Sequence, residues 1–342
     1  MVAIRDCATE DEPVEAALRR MRRLGLLALP VRDRAGRLAG MLFEGAQRPA
    51  RIEPLEGSQG LEQALRSFEQ QRTGWLPVVE DGRPVGVAGW GEVQAHLEID
   101  RELGPAVLQV SRELSPSDEM LALDGSWASY LAIGADALRC IRRSMGLVHK
   151  HEVRSIFDLA CGHGRVLRVL KAAFPGANLT ACDINVDGVE FCARVLGAVP
   201  VVSHVRADEI EVAGPFDLVW SGSLFNHFAA PRWDEFLDLV ESVLEPGGLF
   251  VMAIHSRQFA DGMRVGTPDP KLSRDGMARI VRSYDESGFG YADYAGERDW
   301  GDNVATPKWV EERLARRARL ALLDHYESGW TKALDVVTCV RQ

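Results

Sequence analysis

Between Asp158 and His255 the chain carries a series of side chains suited to binding and activating a polar small molecule. The run Ser155-Ile156-Phe157-Asp158-Leu159-Ala160 is largely apolar and breaks at Gly162-His163-Gly164, after which Val166-Leu167 and Val169-Leu170 take up helical spacing. A strand that ends in a glycine-rich turn lets a ligand approach the backbone, and the free N–H groups opening the helix favour an anionic group such as a carboxylate. Asp183 ends a second apolar run that starts at Asn178, and an acid in that position accepts hydrogen bonds from ribose hydroxyls. His227 and His255 follow later apolar runs. Imidazole titrates near neutrality, so each is a candidate base for a hydroxyl or ammonium proton, against the alternative of capping a helix or packing in a core. Ser223 and Asn226 are candidates to orient the bound molecules.

The elements needed to hold these residues alternate along the chain. Strands are expected at 155–159, 178–183, 201–205, 216–220 and 249–254, with helices from 166 onward and at 186–196 and 233–244 between them. Such alternation builds a doubly wound parallel sheet, with ligands beyond the carboxyl ends of its strands. That puts Ser221 to Phe228 and His255-Ser256-Arg257 in the loops where a second substrate should lie. Upstream, Ser115-Pro116-Ser117-Asp118-Glu119 reads as a helix start capped by serine, and residues 135–145 as a second helix. Downstream, residues 309–317 read as helix, and 320–326 with 334–340 as an antiparallel hairpin closing the sheet. Residues 287–303, rich in glycine, aromatics and acids, suit either a carbohydrate or polar-ligand surface or a solvated loop with a few core aromatics.

The turn does not fit a nicotinamide site, because Leu167 stands where G-x-G-x-x-G needs its third glycine. Asp158-Leu159-Ala160-Cys161-Gly162-His163-Gly164, Asp183 and Glu245-Pro246-Gly247-Gly248, in that order, resemble the class I S-adenosylmethionine-dependent methyltransferases over about residues 105–342. The resemblance implies a Rossmann-like seven-stranded α/β sheet with S-adenosylmethionine as cofactor. By that resemblance Gly162 and Gly164 pass close to the methionine moiety, Asp158 orients the turn or reaches the amino group, Asp183 holds the ribose and Asp208 lies near the adenine, with Ala160, Ile184 and Ser221 also among the cofactor-binding residues. Tyr130, in the helical segment before the sheet, is the candidate aromatic near the sulfonium, with ordinary packing as its alternative.

The first hundred residues repeat themselves. Glu15-Ala16-Ala17-Leu18-Arg19 corresponds to Glu62-Gln63-Ala64-Leu65-Arg66, Leu29-Pro30-Val31 to Leu76-Pro77-Val78, and Gly36-Arg37-Leu38-Ala39-Gly40 to Gly82-Arg83-Pro84-Val85-Gly86. Each copy, about 1–47 and 48–100, is expected to run helix, strand, tight turn, strand, helix. This pattern resembles a tandem pair of CBS domains, an α+β module that in its family often binds adenine nucleotides or S-adenosylmethionine. Where that family has a hydroxyl residue before its ribose-binding acid, this chain has Phe43 and Gly89; the acid position is Ala46 in one copy and Glu92 in the other. A structural or dimerising module, forming a homodimer, therefore competes with a ligand sensor that uses Glu92.

The 342 residues, 46% hydrophobic and 26% charged, are those of a globular chain of about two domains, divided near residue 100. A net charge of -10 argues against a broad nucleic-acid footprint, and no run approaches the ~20 apolar residues of a membrane span. Six scattered cysteines and an N-terminus without a secretory pattern point to a cytoplasmic chain with reduced thiols, and their spacing matches no metal site. The expected function is methyl transfer to oxygen or nitrogen of a small-molecule or saccharide-like acceptor. Its competitors are an enzyme that cyclises or rearranges the cofactor and a non-catalytic cofactor sensor or scaffold.

Overall fold

A computed structural model of the chain describes residues 7–24, 26–267 and 269–342, and it divides into two compact units, Met1–Arg101 and Glu102–Gln342. The start of the front repeat, residues 1–6, lies outside the described residues.

In the front unit the repeat is visible as register. Strands Ala28–Arg32 and Leu38–Phe43 pair antiparallel with Ala28 opposite Phe43 and Val31 opposite Gly40; strands Trp75–Glu80 and Arg83–Gly89 pair with Trp75 opposite Gly89 and Val78 opposite Gly86. Both pairs shift register at the equivalent place, after Val31 and after Val78. A short strand (Ala8–Thr9 or Leu55–Glu56) adds in parallel to each, and helices Val14–Arg23 and Leu61–Gln71 bury Ala17 and Met21, and Ala64 and Phe68, respectively. The second hairpin turns on Asp81 and Gly82, both at positive φ, as a two-residue turn requires. Among the described residues only the second copy has the expected closing helix, Trp90–Leu103. In the first copy Glu44-Gly45 form a turn, with Gly45 at φ +76°, and Ala50 pairs back onto Met41.

The second unit is the expected α/β sheet. Strands β1 (Ser155–Leu159), β2 (Asn178–Asp183), β3 (Val199–Val202), β4 (Phe216–Gly222) and β5 (Leu244–His255) run parallel, and β8 (Leu320–Trp330) and β9 (Leu334–Arg341) close one edge antiparallel, in the order β8-β9-β5-β4-β1-β2-β3. Helices α1 (Glu119–Asp124) and α2 (Trp127–Leu147) precede the sheet; α3 (Leu167–Ala173), α4 (Val186–Leu196) and α5 (Ala230–Val243) cross between its strands. The central strands are covered on both faces and are almost wholly apolar: Ile156, Phe157, Leu159, Leu218, Val219, Phe250, Val251 and Met252 are fully buried, each contributing about 1.5–3 kcal/mol.

Two expectations are corrected. The cap before α1 is Asp118, whose carboxylate accepts from the Met120 N–H at 3.0 Å, and not Ser115, which lies in the preceding turn. Residues 287–303 are only in part a loop: 294–300 connect two strands, 295–299 are exposed, and Glu297, Arg298, Asp299 and Trp300 line a cavity. After helices α6 (Arg257–Arg264) and α7 (Arg274–Ser287) the segment forms a separate antiparallel hairpin, β6 (Phe289–Asp293) and β7 (Gly301–Ala305), followed by α8 (Pro307–Leu314). All five β7 residues are buried, the polar Asp302 and Asn303 included.

Candidate functional site

The chain leaves β1 and builds β2 and β3 outward on one side, then returns to lay β4 on the other side of β1. The crevice for a ligand is therefore at the carboxyl ends of β1 and β4. Asp158 and Trp220 are register partners there. A cavity of about 950 Å³ opens at this point, running from the turn after β1 to His227 and Trp300.

The turn is shaped by backbone that tolerates little else. Ala160, Gly162 and Gly164 have φ of +78°, +50° and +75°. The Gly162 N–H donates to the Asp183 carboxylate at 2.8 Å, whose other oxygen accepts from the Asn185 N–H at 2.9 Å. A Cβ on Gly188, in the first turn of α4, would stand 2.5 Å from the Gly162 carbonyl oxygen, so helix and turn are in backbone contact. From below, the fully buried Arg168 guanidinium donates to the carbonyls of Gly164, His163, Ser111 and Glu113 at 2.9–3.1 Å. Nothing in the sequence pattern marks Arg168 or Gly188 for these tasks, since both sit in ordinary amphipathic helices.

Residues 156–248 match the family model described as "Methyltransferase domain", and residues 6–44 and 53–95 each match that of the CBS domain. The chain carries a methyltransferase domain behind two CBS domains. Among curated proteins it is 33% identical over 103 residues to a fatty-acid O-methyltransferase of Mycolicibacterium smegmatis, covering 29% of this chain and 36% of that protein. It is also 33% identical over 84 residues to a malonyl-[acyl-carrier protein] O-methyltransferase of Anoxybacillus flavithermus, covering 24% and 32%. The chain thus matches about a third of the length of these relatives. A solved S-adenosylmethionine-dependent methyltransferase from Clostridium acetobutylicum aligns at a TM-score of 0.44 and 15% identity, over 66% of this chain and 95% of that one.

The residues of the methyltransferase domain fit S-adenosylmethionine. Asp158 lines the cavity with a carboxyl that is 1% exposed and whose Oδ2 has no hydrogen-bond partner, a vacancy suited to a cationic amino group. Burial, and then the charge of Asp183, push its carboxyl up to about 8. Asp183 keeps a free lone pair on each oxygen for ribose hydroxyls. Ile184 is 61% exposed yet lines the cavity, an apolar face for a flat base.

Three expected contacts lie elsewhere. Asp208 is exposed, paired with Arg206 at 2.6 Å, and outside the cavity wall; Ser203, His204 and Val205 line that end instead. Ser221 is fully buried in the sheet, and its neighbours Gly222 and Ser223 reach the cavity. Tyr130 is fully buried beneath the wall, its hydroxyl donating to Asp118 at 2.7 Å and its ring 5.3 Å from the Arg168 guanidinium; Asp118 and Trp330 line the cavity on that side. An aromatic in a pre-sheet helix carries no sequence signal separating a core ring from a cofactor ring.

The two histidines separate in the same way. His227, in the 3-10 turn after β4, lines the cavity with its ring 4.6 Å from that of Trp300. Its Nδ1 is 3.0 Å from the Gly301 carbonyl, which can only accept. Nδ1 therefore carries the proton and Nε2 keeps its lone pair. Burial lowers its pKa below the ordinary imidazole value, leaving it neutral at pH 7. His255 is corrected as a candidate base. Its ring stacks on Phe259 at 3.7 Å, stands outside the cavity wall, and is held to about 4 by burial. Asn226 fixes the loop by accepting from the His255 N–H at 2.6 Å and donating to Ser223 Oγ at 2.7 Å.

Among the described residues no group of three or more His, Cys, Asp or Glu is arranged to hold a metal ion, and no helix is long and apolar enough to cross a membrane.

Proposed function

We propose that this chain is an S-adenosylmethionine-dependent methyltransferase acting on an oxygen nucleophile of a small-molecule acceptor, with His227 as the base. The cofactor, when bound, supplies an electrophilic methyl group. Asp158, the turn at 162–164 and Asp183 would hold it, and the cavity wall of Trp220, Trp300 and Trp330 would exclude water around the transfer. His227 Nε2 takes the proton from an acceptor hydroxyl as the oxygen becomes nucleophilic, a contribution typically worth about 10²–10⁴ in rate.

The observation that carries this reading is the shared cavity. His227, fixed as the Nδ1–H tautomer, and the Asp158–Asp183 turn line one and the same space. The choice of oxygen is supported by the O-methyltransferases among the curated relatives. For the CBS pair we favour a structural or dimerising role. At Gly89, where the family has a hydroxyl, a Cβ would already stand 3.0 Å from the Trp75 ring.

Calorimetry with S-adenosylmethionine, followed by incubation of the labelled cofactor with a panel of phenols and hydroxy lipids, tests the reading. S-adenosylhomocysteine formed with a methylated acceptor, and lost in His227→Ala, is the expected result. Absence of cofactor binding, or release of methylthioadenosine, would overturn it.

A further inference from the structure

Strand β7 grips both histidines from behind. The Gly301 carbonyl accepts from His227 Nδ1 at 3.0 Å and the Asn303 carbonyl from His255 Nδ1 at 2.9 Å. The residue between them, Asp302, sends its carboxyl into the space between the two rings, with Oδ1 3.7 Å from His227 Nδ1 and 3.5 Å from His255 Nδ1. Asp302 is 3% exposed, and Oδ1 has no hydrogen-bond partner. Tyr294, beyond the end of β6, bonds the same carboxyl, and its hydroxyl oxygen is 3.0 Å from His227 Nδ1. The hairpin is locked in register with the histidine loop, since Asn303 Nδ2 donates to the carbonyls of Phe225 and Phe228 at 2.6 and 2.7 Å. A buried acid with an oxygen unsatisfied is costly, and unlike its neighbour Asn303, whose amide donates to two carbonyls, the Asp302 carboxyl makes no backbone bond among the described residues that would account for it.

We propose that Asp302 is the positioning residue of His227, set behind Nδ1 so that its negative charge stabilises the imidazolium formed when Nε2 takes a proton. The inference rests on the reading of His227 as the base. The acceptor O–H bond breaks, its electron pair stays on the acceptor oxygen and the proton moves to Nε2, while Asp302 acts in its ionised form and exchanges no proton in the step. The groups facing Asp302 are His227 from the loop after β4, His255 from the end of β5 and Tyr294 from the hairpin, with Asp269 and Lys271 acting at longer range from the segment before α7. Burial first, then Asp269, raise the carboxyl to about 7, while the Tyr294 hydroxyl and Lys271 lower it. Its charge therefore develops in the range where a base of this kind works. His255 stays neutral across that range and adds no competing charge.

Imidazole NMR on the full chain tests this without any acceptor. The His227 resonances, assigned by their loss in His227→Gln, are expected to report the Nδ1–H tautomer and to shift with an inflection near pH 7. In the isosteric Asp302→Asn the inflection near 7 should vanish, and His227 should protonate at lower pH while keeping its tautomer. Should that variant fail to fold, Tyr294→Phe replaces it: loss of a hydroxyl that lowers the carboxyl should move the inflection to higher pH. Identical His227 titrations in wild type and Asp302→Asn, or in wild type and Tyr294→Phe, would overturn the proposal. In a methyl-transfer assay, Asp302→Asn should lower kcat about 10-fold or more with little change in KM, and add nothing in a His227→Gln background. A loss that multiplies in that background would assign Asp302 to structure alone. Full activity of His227→Gln would instead bring down the base assignment itself, a separate failure.

Discussion

The backbone N–H of Gly162 points at the carboxylate of Asp183, 2.8 Å away, so the tip of the turn after β1 is held by the acid that ends β2. One carboxylate thus shapes the floor of the cavity and presents its remaining lone pairs to it. Charge-assisted bonds of this kind are worth about 1.5–3 kcal/mol. Asp183→Ala should lose both functions and weaken S-adenosylmethionine binding about 100-fold by calorimetry. Asp183→Asn, whose amide oxygen can still accept from Gly162, should lose less. Equal affinity in Asp183→Ala and wild type would remove Asp183 from the cofactor site.

Asp158 makes stability fall with pH. Its carboxyl is raised from an ordinary 3.8 to about 8, chiefly by burial, so the folded chain holds a proton that the unfolded chain has released. The stabilisation is complete below about pH 4 and is lost as pH climbs toward 8, at up to ~1.4 kcal/mol per pH unit. Asp158→Asn keeps the shape and removes the proton. Its melting temperature relative to wild type should therefore rise steadily between pH 5 and 8 in the absence of ligand. A difference that stays flat with pH would mean Asp158 is ionised in the fold.

Gly188 meets the turn backbone to backbone. A methyl group there would press 2.5 Å from the Gly162 carbonyl oxygen and 2.9 Å from its carbon, neither of which can rotate away. Gly188→Ala should cost about 1–3 kcal/mol and displace the turn, lowering cofactor affinity more than stability. Denaturant unfolding and calorimetry on the same variant separate the two. Wild-type affinity would show that α4 can slide without moving the site.

What the sequence discloses of this site depends on how local the signal is. The turn at 162–164 and Asp183 are legible because strand, glycines and helix are contiguous and each residue acts where the chain places it. Ile184 follows for the same reason. His227 is legible as a loop residue after an apolar strand, but nothing local separates it from His255, one strand later. The difference lies in the hairpin, whose Gly301 and Asn303 carbonyls take up one ring nitrogen each, and in Phe259, which covers only His255. Asp302 and Asn303 do leave a trace, as two polar residues in the short strand Gly-Asp-Asn-Val-Ala; without the pairing of β6 and β7 that segment reads as loop. Tyr130 and Ser221 show the opposite case. Each has the right type near the right strand, yet a helix phase or strand face turns the side chain into the core.

Arg168 ties the cofactor turn to the segment that leads into α1. Its guanidinium is 1% exposed, spends its donors on four carbonyls from 111–113 and 163–164, and lies 5.3 Å from the Tyr130 ring. Removing it strands those carbonyls and takes away the cation facing the ring. Arg168→Met fills the volume without the donors and should cost about 3 kcal/mol or more in denaturant unfolding. The loss should be local as well as global. Amide hydrogen exchange should accelerate across 111–121 and at 162–165 by more than global unfolding accounts for, while β5 and β9 follow the global value. Uniform acceleration over the whole sheet would mean that Arg168 supports the core and has no special hold on the turn.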